Sequence, residues 1–280
     1  MTDKQAATPY RFARLDGKIV IVFGAGNPKS EGHGIGATTA LQLARNGATV
    51  ISVSNLEENA QNITEAIRAE GLLGFAEVCD ATNPDDVLAL VARVKAQFGR
   101  IDVVINAGVH NANPNGFEKL TADYWRSAID VNLHAHFNMI HGVLPTFIEQ
   151  KTGLFLHFST IAGEVGLGLG KQRHAYAAGK AGAAVLTKRV GIEYAKDGVR
   201  GNVVQIGYIS GPLVNRAVAA VGADIEKVTA KRDSYVPRGR QGTPADVAYM
   251  TAFLCSDEAS LLNGSDFFVD GGTSGCTYGP

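Results

Sequence analysis

Short apolar runs recur along this chain, and each stops on glycine or a small polar residue before a segment with helical patterning begins. Lys18–Phe23 stops at Gly24, Thr49–Ser54 ends on its own serine, and Leu73–Val78 leads to Asp80. Val103–Ile105 leads to Asn106-Ala107-Gly108, Gly153–Phe158 to Ser159-Thr160, Val203–Ile206 to Gly207, and Phe267–Val269 to Asp270. Continuous apolar runs mark strands covered on both faces, as in parallel sheets. Strands alternating with helical segments imply one doubly wound α/β sheet of about seven strands with helices on both faces. Right-handed crossovers then bring every strand's C-terminal end to one edge, where such sheets bind ligands. Gly24, Ser54, Asp80, Asn106, Thr160 and Gly207 all fall there.

The first strand runs into a Gly-rich turn, Gly24–Gly36, and then a helical pattern through Ile35, Leu41 and Leu43 that Gly47 stops. Strand, Gly-rich turn and helix make the Rossmann-type context for a dinucleotide. Glycines let backbone approach a pyrophosphate, and the helix N-terminus offers free amides. Gly24, Gly34, Ile35 and Gly36 are the candidates, and 27–33 reads as an insertion that lengthens the loop. Glycine is 33 of 280 residues, above the usual ~7%. Further on, Asn55-Leu56-Glu57-Glu58 reads as a helix cap, and Asn83-Pro84 starts another helix. Tyr124–Leu144 is largely helical, Tyr176–Ala195 is a long helix, and Ala245–Cys255 is another. On the long helix Tyr176 and Lys180 share a face. An ammonium beside a phenol favours phenolate, which suits proton exchange with an alcohol or carbonyl oxygen.

A formal net charge of −1 argues against a nucleic-acid surface. No apolar span of membrane length and no signal peptide is visible, and Cys79, Cys255 and Cys276 form no ligand spacing, as for free thiols in a reducing cytoplasm. Residues 1–14 read as a polar arm and 15–280 as a single catalytic domain. The stretch 208–237 reads either as a lid over the site or as a plain surface excursion. His134, His136 and His141 cluster in sequence, but 134 and 136 point apart on a helix and match no metal motif, so a solvated or core role is expected. His110 and His174 lie near the expected cleft.

From Leu15 to Gly272 these markers resemble, in order, the short-chain dehydrogenase/reductase family: the Gly-rich loop, Asp80, Asn106-Ala107-Gly108, Asn132, Ser159-Thr160 and Tyr176-x3-Lys180. The tail Arg238-Gly239-Arg240, Thr243-Pro244 and Val269-Asp270-Gly271-Gly272 continues the match. The resemblance implies an NAD(P)-dependent oxidoreductase that interconverts a secondary alcohol and a ketone. Tyr176 would be the general acid/base, Lys180 would lower its pKa and hold the nicotinamide ribose, and Asn132 would place a relay water. A hydroxyl would orient the substrate oxygen. Counting back three from Gly163 puts that hydroxyl on Thr160, with Ser159 as fallback. Asp80 and Ala81 would meet the adenine, Asn106, Ala107 and Gly108 would line the cleft, and Gly207 and Ile209 would be further cofactor contacts. Three departures stand out: Phe23 where the family usually has Thr, Ile206-Gly207 for Pro-Gly, and Gly211 for a Thr.

The same resemblance implies a homotetramer, packed through the Tyr176 helix and the Tyr124–Leu144 segment. An enoyl reductase is disfavoured, because that branch resembles Tyr-x6-Lys. At the end of the second strand an acid would select NAD(H). Ser54 and Asn55 stand there, so NADP(H) is favoured with NAD(H) possible, and Lys29 or His33 would supply positive charge. The alternative from another class is a non-catalytic dinucleotide-binding sensor or scaffold on the same fold.

Overall fold

The computed structural model describes residues 12–26, 32–108, 116–163 and 173–276. Seven strands form one all-parallel sheet: β1 (Ile19–Phe23), β2 (Thr49–Ser54), β3 (Gly74–Val78), β4 (Val103–Asn106), β5 (Gly153–Thr160), β6 (Val199–Ile206) and β7 (Asp266–Val269). Their order is β3-β2-β1-β4-β5-β6-β7. The order reverses between β1 and β4, so a crevice opens beyond their C-terminal ends, where open α/β sheets take ligands.

Side chains alternate across the sheet, and each face has its own core. Val20 and Val22 of β1 join α1 (Ile35–Arg45), α2 (Glu57–Ala69) and α9 (Pro244–Cys255) on one side. Ile19, Ile21 and Phe23 join α3 (Pro84–Phe98), α5 (Ala135–Gln150) and α6 (His174–Glu193) on the other. Phe23, at the position where the resemblance expects Thr, is spent in this second core. Strands β5 and β6 are longer than their apolar runs suggest. They pair from Gly153 with Val199 through to Thr160 with Ile206, which carries both Ser159 and Thr160 inside regular strand.

Helix starts follow local chemistry. The Asn83 side chain accepts from Asp85 N, with Pro84 in the first turn, as the sequence implies. The cap expected at Asn55 is not made. Helix α2 has Leu56 at its N-cap, and the Leu56 amide donates instead to the Ser54 hydroxyl, which the end of β2 already holds within reach. The segment 208–237 contains α7 (Pro212–Ala220) and α8 (Ile225–Asp233). Of the N-terminal arm, Phe12 stacks on Phe253 and Ala13 N donates to Glu258, so residues 12–13 are docked on the domain.

Helix α6 lies against β6 at a glycine-to-glycine approach. A Cβ on Gly191 would sit 2.2 Å from Gly201 N. Asn263 bridges the two, donating to Gly191 O at 2.8 Å and accepting from Gly201 N at 2.9 Å. Gly191→Ala must therefore push α6 off the sheet. We expect it to cost about 1–3 kcal/mol, the usual penalty of overpacking, read from the urea midpoint; an unchanged midpoint would show that the contact is loose.

Candidate active site

The C-terminal edge of the sheet gathers the expected residues. At the end of β1, Gly24 has φ +76, and a Cβ there would lie 2.6 Å from Gly108 N. One on Gly36 would lie 2.2 Å from Gly24 O. Bare backbone is thus required where the turn meets α1. Helix α1 has Gly34 at its N-cap, no side-chain cap and no acid in its first turn. Such an uncapped, acid-free helix start suits an external anion. Ser54 accepts from Leu56 N, which leaves its hydroxyl proton to donate, and a Cβ on Gly26 would touch Ser54 at 2.8 Å. Asn55 is exposed beside it. Glycine cradle, open helix terminus and neutral donors fit a phosphorylated dinucleotide. His33 is exposed near the same turn, while Lys29 and His110 lie outside the described residues.

Asp80 is exposed at the end of β3, its carboxylate accepting from Thr82 N and the Thr82 hydroxyl. The Ala81 carbonyl accepts from Asn138. Asn106 is buried and its Oδ1 accepts from Gly108 N at 3.0 Å, which shapes Ala107-Gly108 into the crevice wall. Across the cleft, the Gly207 amide donates to Val269 O, and Ile209 bridges to Gly242 with its carbonyl taken by Arg232. The Arg232 guanidinium also donates to Gln241 and lies 5.0 Å over the Tyr208 ring, which anchors the end of α8 beside the cleft.

The chemistry-bearing cluster sits where β5 meets α6. Neighbouring strand residues point to opposite faces, and the two hydroxyls part accordingly. Ser159 is buried and turned to the Lys180 carbonyl at 3.4 Å. Thr160 is half-buried, its hydroxyl oxygen accepts from Ala162 N at 3.2 Å, and it lies near enough to the Tyr176 phenol to act on its pKa. Burial pushes that phenol up from its usual range, while the Thr160 hydroxyl and Arg173 pull it back. Lys180 is one turn on, as expected, but is not among the groups that shift the phenol. Its buried ammonium donates to Phe158 O and Gly108 O, each at 2.8 Å. Burial holds the lysine down to about 7. A lysine has three N–H donors, so one remains for a ligand hydroxyl.

Asn132 is fully buried in a π-helical segment, Asp130–His134, inserted between α4 (Ala122–Ile129) and α5. The Ala135 amide reaches back to Asp130 O there, and Asn132 Nδ2 donates to Ala128 O at 2.8 Å. Gly179 admits this segment against α6, since a Cβ on it would lie 2.8 Å from Asn132 Cβ. Such one-turn widenings recur at functional sites. Among the histidines, His134 is exposed and pairs with Asp130 at 2.7 Å, and exposed His141 stacks on Phe137. His174 packs edge-on against Phe117. His136 is buried, and beside it lies buried His157, which the sequence pattern did not single out.

A family model described as enoyl-(acyl carrier protein) reductase matches residues 30–274. Cyclohexanol dehydrogenase from Acinetobacter sp. is 35% identical over 92% of this chain and 95% of its own. The chain belongs to the short-chain dehydrogenase/reductase family. A 3-oxoacyl-[acyl-carrier-protein] reductase of Thermotoga maritima is 34% identical, over 92% of this chain and 98% of its own. Among solved structures of the family, a gluconate 5-dehydrogenase from Burkholderia cenocepacia in complex with NADP and tartrate superposes with a TM-score of 0.83 at 28% identity. That match covers 95% of this chain and 98% of the other. The family expectation, its single parallel sheet and its oxidoreductase character therefore hold for this chain.

The buried lysine makes a prediction about stability. Its folded pKa of about 7 lies below the ordinary value near 10.4. From about pH 7 to about 10 the unfolded chain binds a proton that the folded chain does not, so this group raises stability as pH rises. Its cost is full below about pH 7 and fades toward about 10. Lys180→Met removes that slope. Urea unfolding should show the wild type gaining on the variant across the window; parallel curves would mean that the two carbonyls keep the ammonium charged throughout.

Proposed function

We propose that the protein is an NAD(P)-dependent alcohol dehydrogenase/ketoreductase acting on a small hydroxyl or keto compound, with NADP(H) preferred and NAD(H) accepted. The observation that carries this is the Thr160–Tyr176–Lys180 cluster at the mouth of the β1/β4 crevice. When bound there, the dinucleotide supplies or accepts the hydride. The substrate oxygen sits between the Thr160 hydroxyl, which orients it, and the Tyr176 phenol, which gives it a proton in reduction and takes one in oxidation. A phenol of ordinary pKa ~10 is protonated at neutral pH, ready to donate. The third N–H of Lys180 holds the nicotinamide ribose, and Asn132 positions the outer end of the proton relay. Ser54 and Asn55 present donors and no carboxylate to the ribose 2′-position, which suits a phosphate. Lys29 is the expected cation there.

Helices α7 and α8 would cover the substrate side. The matching family model carries an enoyl reductase description, yet Tyr176 and Lys180 are separated by three residues, which favours carbonyl chemistry. We place the protein in the cytoplasm, with neither a membrane nor a nucleic acid as partner. Among the described residues no helix is long and apolar enough to cross a membrane.

The test is a panel of cyclic ketones, keto acids, β-keto thioesters and enoyl thioesters, run with NADPH and with NADH. Ketone-dependent oxidation faster with NADPH is expected, with no enoyl turnover. Tyr176→Phe should cut kcat by at least ~10²-fold, the size of an acid/base contribution, with cofactor Kd little changed. Thr160→Val should follow it and Ser159→Ala should not. Cofactor binding without turnover on any carbonyl would favour the sensor reading, and a tenfold NADH advantage would reverse the cofactor preference.

The assembly we propose is a homotetramer. Phe137 on α5 is 50% exposed and Val185 on α6 is 55% exposed, an apolar surface suited to packing across two-fold axes. Light scattering at micromolar concentration should give four times the chain mass; a monomer mass would refute it.

A further inference from the structure

A buried polar chain runs behind the cluster, and its orientation can be derived. The Thr187 hydroxyl donates its one proton to Ala183 O at 2.8 Å. Its 2.6 Å contact with His136 Nε2 must therefore be donated by the imidazole. The ring is buried, and burial keeps it neutral at ordinary pH. With Nε2 carrying the proton, Nδ1 is a pure acceptor, and it faces Asn106 Nδ2 at 3.1 Å. That fixes which way the Asn106 amide points. Its oxygen meets the Gly108 amide at 3.0 Å, and the Gly108 carbonyl in turn accepts from Lys180.

We propose that His136 is a positioning residue for cofactor binding, setting the Gly108 carbonyl and through it the Lys180 ammonium by locking the Asn106 carboxamide. The two ends of a carboxamide are nearly alike in shape, so packing alone does not choose between them. Hydrogen bonding does, from both sides: the Gly108 N–H, which can only donate, takes the oxygen, and a proton-free Nδ1 takes the NH2, since the flipped amide would place oxygen against a lone pair. Thr187 sets the tautomer, His136 sets the amide, and the amide sets a backbone that also walls the Gly24 turn, 2.6 Å from where a Cβ on Gly24 would be. This route leads from the buried second layer of the fold into the crevice. His157, with its ring centroid 4.5 Å from that of His136, packs beside the chain and is not a link in it.

The inference rests on the proposed cofactor site, and a pair of near-isosteres tests it. Asparagine at 136 keeps an acceptor near the Nδ1 position and loses the reach to Thr187. Glutamine keeps the reach and loses the acceptor. The expected result is that His136→Gln weakens NADPH binding, measured by fluorescence titration, about tenfold, equivalent to about 1.4 kcal/mol. His136→Asn should stay within about threefold. Thr187→Val, close to wild type in shape, frees the tautomer and should shift Kd in the same direction as His136→Gln. Equal Kd for the two His136 variants, or losses that merely follow their melting temperatures, would overturn the proposal. So would an unchanged Kd in Thr187→Val, which decides the matter if the His136 variants do not fold. Failure of the wild-type protein itself to bind NADPH would instead sink the cofactor reading.

Discussion

One ammonium group fastens three elements of this molecule. Lys180 projects from α6 and donates to the carbonyls of Phe158 in β5 and Gly108 after β4. A buried charge is tolerated only where oriented polar groups replace its water, so the spacing of these elements is dictated by what that nitrogen can reach. Tyr176 stands one helical turn earlier and takes its place from the same anchor. The protein bears the cost as a lysine held down to about 7 by burial. Among the described residues no carboxylate pairs with it.

Much of this was legible in the chain because buried parallel strands are written as uninterrupted apolar runs. Wherever such a run stops, a residue at the sheet edge is named, and that logic placed Gly24, Ser54, Asp80, Asn106, Thr160 and Gly207 together. Strand periodicity also separates Thr160 from Ser159 once β5 is seen to extend through both. Helical spacing was a weaker guide. It put Tyr176 and Lys180 on one face but said nothing of the carbonyls that claim the ammonium. The cap expected at Asn55 failed for a related reason, as Ser54 was already at hand to accept the Leu56 amide.

The polar chain through His136 had no sequence signal. Its members lie on β4, α5 and α6, and His136 and Thr187 are 51 positions apart. Reading His134, His136 and His141 as a local group hid the fact that only the middle one turns inward. The π-helical turn around Asn132 was likewise invisible, because an i→i+5 bond leaves no compositional trace.

An all-parallel sheet has a further consequence for how this protein comes into being. Each of the first six strands is followed by a crossover before the next can pair, and the order β3-β2-β1-β4-β5-β6-β7 leaves no hairpin to zip locally. Chain closure over long loops must precede the reward of strand pairing, which makes assembly slow. The crevice draws its walls from Gly24 at one extreme and Gly207 at the other, with β4 and β5 between. Competence to hold a dinucleotide is therefore a late acquisition in folding, gained after the central strands close, and a chain released too early would carry helices and a partial sheet but no active site.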